Sequence, residues 1–230
     1  MKLILTVPIL LFISCSTILS DVNPARANNK IKGPERWEEV IKHFEAVDAV
    51  KPPNKGEVLL IGGSNARRWK DVDKYLPQHS VLNRGFGGAR LYEILHYFDR
   101  LVVPHEPQII ILNAGGNDMN SGRSPEDVQD TARAFMKKVQ AKLPGTKVYY
   151  IGLPYMLKAK QSPEMVPVLH QFNDAIAKLA QDNEQLEFIH IFPSLLDKDQ
   201  QPRPDLYVED GVHFTDRAYK IIADLLNEKM

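Results

Sequence analysis

The sequence predicts an α/β fold, a three-layer α/β/α arrangement in which a five-stranded parallel sheet carries helices on both faces. Short apolar runs, as expected for strands buried on both sides, recur along the 230 residues. Helical patterns separate these runs, and this alternation is typical of a parallel sheet. Hydrophobic residues make up 43% of the chain and charged residues 25%, which are ordinary proportions for a globular domain.

The predicted strands are five short apolar segments. They cover residues 58–61, 81–82, 109–112, 148–151 and 188–191. The second is the weakest, since only two apolar residues form it. His190 falls in the last segment, where we expect it to be a core residue with its hydrogen bonds satisfied.

The predicted helices lie before and between these strands, wherever apolar residues recur at helical spacing. They cover residues 37–50, 91–102, 126–143, 164–181 and 215 to about 226. Ser124 as N-cap and Pro125 at the first helical position open the third helix. We expect Ser162 and Pro163 to open the fourth in the same way, and Thr215 to cap the last.

The first 27 residues resemble a secretory signal. Lys2 precedes an apolar run over residues 3–13, which is short for a membrane span and lies at the N-terminus. Residues 25–27 form an A-x-A cleavage site. Cleavage there leaves 28–230 as a single domain, and we expect an exported protein, periplasmic or secreted.

A lipoprotein signal is the alternative. Residues 12–15 resemble a bacterial lipobox, which would make Cys15 the lipid-modified first residue. Phe12 is an unusual residue at the first position of a lipobox, which favours cleavage after Ala27. Cys15 is the only cysteine, so a chain cleaved after Ala27 has no disulfide, no thiolate metal cluster and no cysteine nucleophile. A lipid anchor at Cys15 is the one membrane attachment that the sequence suggests for a processed chain, and an uncleaved N-terminal anchor is the remaining alternative.

The charge balance excludes long-range attraction to nucleic acid. Lys and Arg together number 29, as do Asp and Glu, so the formal net charge is zero. No His, Asp and Glu residues show a spacing typical of a metal site, and we expect neither metal nor cofactor. Nothing in the pattern indicates an oligomeric state.

Small and polar residues follow four of the five predicted strands. These clusters cover residues 62–65, 83–88, 113–118 and, after a longer loop, 210–213. Open parallel sheets bind ligands outside the carboxyl ends of their strands. We therefore expect the four clusters to meet at one edge of the sheet.

The clusters contain the residues that acyl transfer requires. Ser64 follows a strand and two glycines, which predicts a hydroxyl at the start of a helical turn. A serine hydroxyl needs a base to take its proton, and the imidazole of His213 is the candidate. Asp210, three residues earlier, is close enough in a turn to fix the imidazole tautomer.

A developing oxyanion requires preorganised hydrogen-bond donors. The backbone N–H groups of Ser64 and Gly88 and the side-chain amide of Asn117 are the candidates. Gly88 has no side chain to block close approach of its backbone.

The same clusters resemble the four sequence blocks of the SGNH (GDSL-type) hydrolases, in the family's order. Residues 83–88, Asn-Arg-Gly-Phe-Gly-Gly, resemble the platelet-activating-factor acetylhydrolase-like branch in particular. The resemblance implies a flavodoxin-like fold and metal-free ester hydrolysis. It also implies the catalytic and oxyanion roles given above. One residue departs from the pattern, because Gly63 stands where the Gly-Asp-Ser sequence has aspartate.

Three hypotheses of function remain open. An exported location and the resemblance favour short-chain acyl esters of carbohydrates, such as acetyl groups on polysaccharides. Hydrolysis of lysophospholipid or other lipid esters is the alternative. A non-catalytic carbohydrate-binding protein on the same scaffold is a hypothesis of another class, which a nucleophile beside its base argues against.

Overall fold

Five parallel strands form one sheet in the order β2-β1-β3-β4-β5. The computed structural model describes residues 33–230, so the predicted signal segment and Cys15 lie outside the described residues. The strands are β1 (Val58–Gly62), β2 (Val81–Asn83), β3 (Ile109–Asn113), β4 (Lys147–Ile151) and β5 (Leu186–Ile189). Leu59 pairs with Leu82 on one side and with Ile110 on the other.

Most helices lie between consecutive strands in the sequence, while the first precedes β1 and the last follows β5. They are α1 (Glu38–Val50), α2 (Ser64–Arg68), α3 (Val72–Tyr75), α4 (Leu91–His96), α5 (Phe98–Leu101), α6 (Gly116–Asn120), α7 (Pro125–Lys142), α8 (Met165–Gln181) and α9 (Asp216–Asn227). In the part of the chain described, none of them is long and apolar enough to span a bilayer.

Each face of the sheet has its own hydrophobic core. Leu59 and Ile61 of β1 belong to one core, while Leu60 belongs to the other, as strand alternation requires. Helices α1, α4, α7 and α8 cover the first face, and α2, α3 and α9 cover the second. Full burial of one such side chain contributes roughly 1.5–3 kcal/mol. The predicted five-stranded, three-layer fold is confirmed.

The predicted helix over 91–102 is two helices, which Tyr97 separates. Its hydroxyl donates to the Pro34 carbonyl at 3.1 Å and so ties this point to the start of the described chain. Leu91, Phe98 and Leu101 are all buried on the same core. Because the apolar spacing continues across the break, periodicity alone could not locate it.

Two predicted helix caps behave differently. The Ser124 hydroxyl accepts the Asp127 N–H at 3.1 Å, and the Asp127 carboxylate accepts the Ser124 N–H in return, so this N-cap is confirmed. Ser162, in contrast, does not cap α8, which begins at Met165 after Glu164. The N–H of Ser162 closes a preceding 3₁₀ turn by donating to the Ala159 carbonyl, so the prediction for this residue was wrong.

The C-terminal part of the sheet also differs in detail. Strand β5 ends at Ile189, and His190 is exposed beyond it, so the expectation of a core histidine was wrong.

The predicted cap of the last helix is confirmed in position only. Thr215 stands at the N-cap of α9, but its hydroxyl donates to the Asp205 carbonyl at 3.0 Å and so caps no N–H of the helix.

Candidate active site

The candidate site lies where β1 and β3 end. The chain passes from β1 outward to β2 and then returns to β3 on the other side of β1, so a crevice opens between β1 and β3. The N–H of Gly63 donates to the Asn113 carbonyl at 3.1 Å and joins the two strand ends. The loops that carry the predicted site residues converge on this crevice.

Ser64, His213 and Asp210 form one hydrogen-bonded row. The Oγ of Ser64 is 2.8 Å from Nε2 of His213, although 149 residues separate them in sequence. Nδ1 of His213 is 2.6 Å from Oδ2 of Asp210. Ser64 is the first residue of α2, as predicted, so its hydroxyl projects at the sheet edge.

Asp210 is held as a carboxylate. Burial favours its neutral form, but the backbone N–H of His213, the His213 ring and the backbone N–H of Val212 together hold the pKa of Asp210 well below its ordinary value. Both N–H groups donate to Oδ1 at 2.9 Å, which leaves Oδ2 for the imidazole. This arrangement fixes Nδ1 as the protonated ring nitrogen and Nε2 as the acceptor facing Ser64.

Two asparagines hold the short helix α2 in place. The amide of Asn83 donates to the carbonyls of Ala66 and Trp69 at its C-terminal end, at 2.8 and 3.0 Å. Oδ1 of Asn65 accepts the N–H of Phe214 at 3.2 Å, next to His213. The nucleophile segment and the histidine loop are therefore connected directly, a role of Asn65 that its sequence position alone did not reveal.

Asn117 lies beside Gly63 at the start of α6. Its Nδ2 donates to the Ala89 carbonyl at 3.0 Å, which leaves one amide hydrogen for a ligand. A Cβ atom placed on Gly63 would lie only 2.8 Å from this nitrogen. Gly63, which stands where the Gly-Asp-Ser pattern has aspartate, therefore leaves space that the side-chain amide of Asn117 occupies.

Gly88 occupies a left-handed conformation in the loop after β2. Its φ is +80°, a value that L side chains rarely adopt. Within residues 33–230, neither its N–H nor that of Ser64 has a hydrogen-bond acceptor. Ser64 owes its free N–H to its position in the first turn of a helix. Both groups match the type of donor that an oxyanion requires.

A family model described as GDSL-like lipase/acylhydrolase matches residues 40–221. The chain belongs to this family. The match contains all four sequence blocks and most of both cores. The resemblance to SGNH (GDSL-type) hydrolases is thereby confirmed, and this GDSL-like protein is a carboxylic ester hydrolase.

Proteins of known activity and structure are similar to this acylhydrolase. Thioesterase 1/protease 1/lysophospholipase L1 of Escherichia coli strain K12 is 23% identical over 158 residues, 69% of this chain and 70% of the relative. A GDSL-like lipase from Bacteroides thetaiotaomicron superposes with a TM-score of 0.66 at 19% identity, over 82% of this chain and 95% of that chain. An acetylxylan esterase from Geobacillus stearothermophilus superposes with a TM-score of 0.61 at 14% identity, over 76% and 94%. These structures share the fold.

Two adjoining cavities open from the site of this acylhydrolase. A cavity of about 60 Å³ lies against Ser64 and is lined partly by amide side chains, including Asn113 and Asn117. A larger one of about 400 Å³ shares part of its wall and extends between α6 and α8. Its lining is mainly apolar: Met119, Leu153, Met156, Ala159, Met165, Leu169 and Val212. Leu153 and Met156 of this lining follow β4, the one strand end for which the sequence predicted no site residue.

Asp118 follows Asn117 and is fully buried. Its Oδ2 accepts the N–H of Leu91, the first residue of α4, at 2.7 Å. Burial raises its pKa to about 6, against the opposing effects of that N–H and of Arg123. Asp118 therefore fixes the position of α4 relative to α6 and makes no contact with the triad candidates.

Proposed function

We propose that this protein hydrolyses carboxylic esters through an acyl-enzyme intermediate on Ser64. The observation that carries the proposal is the 2.8 Å contact between the Ser64 hydroxyl and Nε2 of His213, whose other nitrogen meets Asp210. A hydroxyl, a base and an orienting carboxylate in this order are the requirements of nucleophilic acyl transfer.

The proposed reaction has two steps. His213 takes the Ser64 proton as Oγ attacks the ester carbonyl carbon, and a tetrahedral oxyanion forms. Collapse of this intermediate breaks the bond to the alcohol oxygen, which leaves with the proton from His213. Water, deprotonated by the same imidazole, then attacks the acyl group and releases the acid and the free Ser64 hydroxyl. Asp210 stabilises the imidazolium in both steps.

Three donors hold the oxyanion in this proposal. The N–H groups of Ser64 and Gly88 are free within the described residues, and Asn117 has one amide hydrogen beyond its bond to Ala89. These donors need no rearrangement during the reaction, which is the source of their catalytic effect.

Replacement of Asn117 by alanine tests the oxyanion role. We expect Asn117→Ala to lower kcat on the order of a hundredfold with little change in KM, because the amide acts on the transition state. Gln140→Ala is the matched control, since Gln140 is an exposed amide on α7 and lines neither cavity. Hydrolysis of p-nitrophenyl acetate measures both variants, and equal kcat in the two would contradict the assignment.

We propose further that the larger cavity receives the acyl chain of a lipid-like ester. Its volume of about 400 Å³ is typical of ligand sites, and its lining is mainly apolar. Three methionines line it, and their flexible side chains suit a chain of several carbons. The similarity to an enzyme named lysophospholipase supports the same class of substrate.

Acetyl esters of carbohydrates are the second candidate. The cavity of about 60 Å³ beside Ser64 is a small space, and the amides of Asn65, Asn113 and Asn120 around it suit a hydroxylated alcohol. One structural neighbour is named an acetylxylan esterase. Both substrates require the same chemistry at Ser64 and differ in the group that fills the cavities.

A chain-length series separates the two candidates. We expect kcat/KM for p-nitrophenyl esters to rise from acetate to octanoate. Met165→Trp, which places an indole in the larger cavity, should reduce the octanoate rate and spare the acetate rate. Gln171→Trp is the control, because Gln171 is exposed on the same helix α8. A preference for acetate that Met165→Trp leaves unchanged would favour the carbohydrate ester.

We also propose that the protein acts outside the cytoplasm. The support is the N-terminal pattern, in which Lys2 precedes the apolar run over 3–13 and a cleavage site follows at 25–27. Fractionation of cells that express the full chain, with N-terminal sequencing of the product, tests this. A first residue of Asn28 supports cleavage by the ordinary signal route, and a lipidated Cys15 supports the lipoprotein alternative.

A further inference from the structure

A buried ion pair lies behind the loop that carries Gly88. Glu93, on α4, has no exposed surface. Its two carboxylate oxygens accept Nε and Nη2 of Arg36 at 2.7 and 3.0 Å, a bidentate geometry. Arg36 precedes α1 and is 18% exposed at its side chain. The pair joins the first described segment of the chain to α4.

The same two side chains hold the backbone of the loop itself. Nη2 of Arg36 also donates to the Gly88 carbonyl at 3.1 Å. Oε2 of Glu93 accepts the N–H of Arg90 at 2.9 Å, two residues further along. The carbonyl of Ala89, between them, accepts the amide of Asn117. Each of the three consecutive residues 88–90 thus has one backbone group fixed by a side chain.

Trp37 completes this arrangement. Its indole Nε1 donates to Oε2 of Glu93 at 2.9 Å, and the guanidinium of Arg36 lies 4.9 Å from its ring centroid. The ring edge lies 3.8 Å from the point where a Gly88 side chain would begin. Trp37 therefore packs against both the ion pair and Gly88.

The energetics of burial indicate a role other than stability. Removing two charges from water is costly, and well-packed apolar residues often replace a buried ion pair at no loss of stability. A bidentate guanidinium that also donates to a carbonyl gives directional contacts that apolar residues cannot provide. What this pair supplies is a fixed orientation for the peptide groups of residues 88–90.

We infer that the Arg36–Glu93 pair is a positioning element of the oxyanion site, acting through Gly88 and Asn117. The inference rests on the proposed function, because it assigns those two groups to the oxyanion. The first described segment before α1 then contributes to catalysis although it touches no reacting atom. Replacement of Arg36 should move two of the three donors, the N–H of Gly88 and the amide of Asn117, away from the oxyanion.

The test compares Arg36→Met with Arg100→Met. Arg100 is a matched control: it pairs with Glu38 and Glu45 of α1 and stacks on Tyr97, but its contacts lie away from residues 88–90. Arg36→Met removes an ion pair made by the segment before α1, and Arg100→Met removes ion pairs made with α1. The readouts are kcat and KM for p-nitrophenyl acetate, the inhibition constant of phenylboronic acid, which forms a tetrahedral anionic adduct with serine, and Tm.

We expect Arg36→Met to lower kcat by about tenfold or more with KM nearly unchanged, because donors are displaced and not deleted. The inhibition constant of phenylboronic acid should rise by the same factor, since its adduct with serine carries a negative charge where the oxyanion would form. Arg100→Met should change neither quantity, whatever its Tm. A folded Arg36→Met with full kcat, or equal losses in the two variants, would overturn the inference.

Arg36→Lys keeps the test decisive if Arg36→Met does not fold. A lysine still pairs with Glu93, but its ammonium lacks the planar fork that reaches both carboxylate oxygens and the Gly88 carbonyl. We expect near-normal Tm with a reduced kcat and weaker boronic acid binding, and normal values for both would overturn the inference. A wild-type chain that hydrolyses no ester would overturn the proposed function itself, which these variant comparisons do not test.

Discussion

Gly63, directly before the proposed nucleophile, shows how one missing side chain shapes the site. A Cβ atom there would come within 2.8 Å of the Asn117 amide nitrogen. This contact is with the end of a side chain, so the side chain can move aside at little cost in stability. The cost falls on the orientation of the amide that we assign to the oxyanion.

Gly63→Ala therefore separates activity from stability at this residue. We expect kcat for p-nitrophenyl acetate to fall by about tenfold or more, because the donor is displaced, while Tm changes little. Gly145→Ala is the control, since a Cβ atom at Gly145 has open space around it. Equal kcat for Gly63→Ala and the wild type would show that the amide of Asn117 does not act from this position.

At the same scale, sequence reasoning proposed Ser64, Asp210 and His213 as a triad because their chemistry is specific and their loops follow strands, and the structure places the three side chains in contact. Sequence reasoning did not identify Asn65 or Glu93. Asparagine after serine is ordinary in a turn, and a glutamate in a helical pattern normally faces solvent. Both residues act through partners distant in sequence, Phe214 and Arg36, and only the three-dimensional structure shows such pairs.

Among the elements, α4 and α6 are joined by one buried carboxylate. Asp118 accepts the N–H of Leu91 at 2.7 Å, and burial raises its pKa to about 6. A raised pKa means that the folded state favours the protonated acid. The contribution of Asp118 to the free energy of unfolding is therefore complete at pH values below about 4, the pKa of an aspartate in the unfolded chain. This contribution is lost as the pH rises through about 6, the pKa of Asp118 in the folded protein.

Asp118→Asn should remove this pH dependence. We expect the free energy of unfolding of the wild type to fall relative to the variant between about pH 4 and pH 7, by on the order of 3 kcal/mol, since tenfold in proton affinity is about 1.4 kcal/mol. Urea denaturation across this range measures the difference. Asp130→Asn, at an exposed position on α7, serves as control. A constant difference between Asp118→Asn and the wild type would contradict the account.

Elements with strong local signals were predicted well, and those set by tertiary contacts were not. The Ser124 cap and the apolar runs of β1 and β3 are local features, and the structure has them. The break at Tyr97 coincides with a side-chain contact to Pro34, 63 residues away, which periodicity does not contain. The start of α8 depends on a preceding turn that uses Ser162 differently.

For the whole molecule, strand order decides where the site forms. Because β1 lies between β2 and β3, the loops after these strands meet at one crevice, and the long segment after β5 brings His213 back to it. Alternation of strands and helices predicted the parallel sheet, and the clusters at the strand ends predicted the edge. The cavity between α6 and α8 was not predicted, because its lining comes from three separate segments with ordinary apolar side chains.

Labelling with a fluorophosphonate probe, followed by peptide mass mapping, shows whether Ser64 is a nucleophile activated by His213. We expect a single covalent label on Ser64 of the wild type, no label in Ser64→Ala, and much slower labelling of His213→Gln. Ser121→Ala, at an exposed serine beyond α6, should label like the wild type. A folded wild type that takes no label, or a Ser64 that labels equally fast without the imidazole, would contradict this role of Ser64.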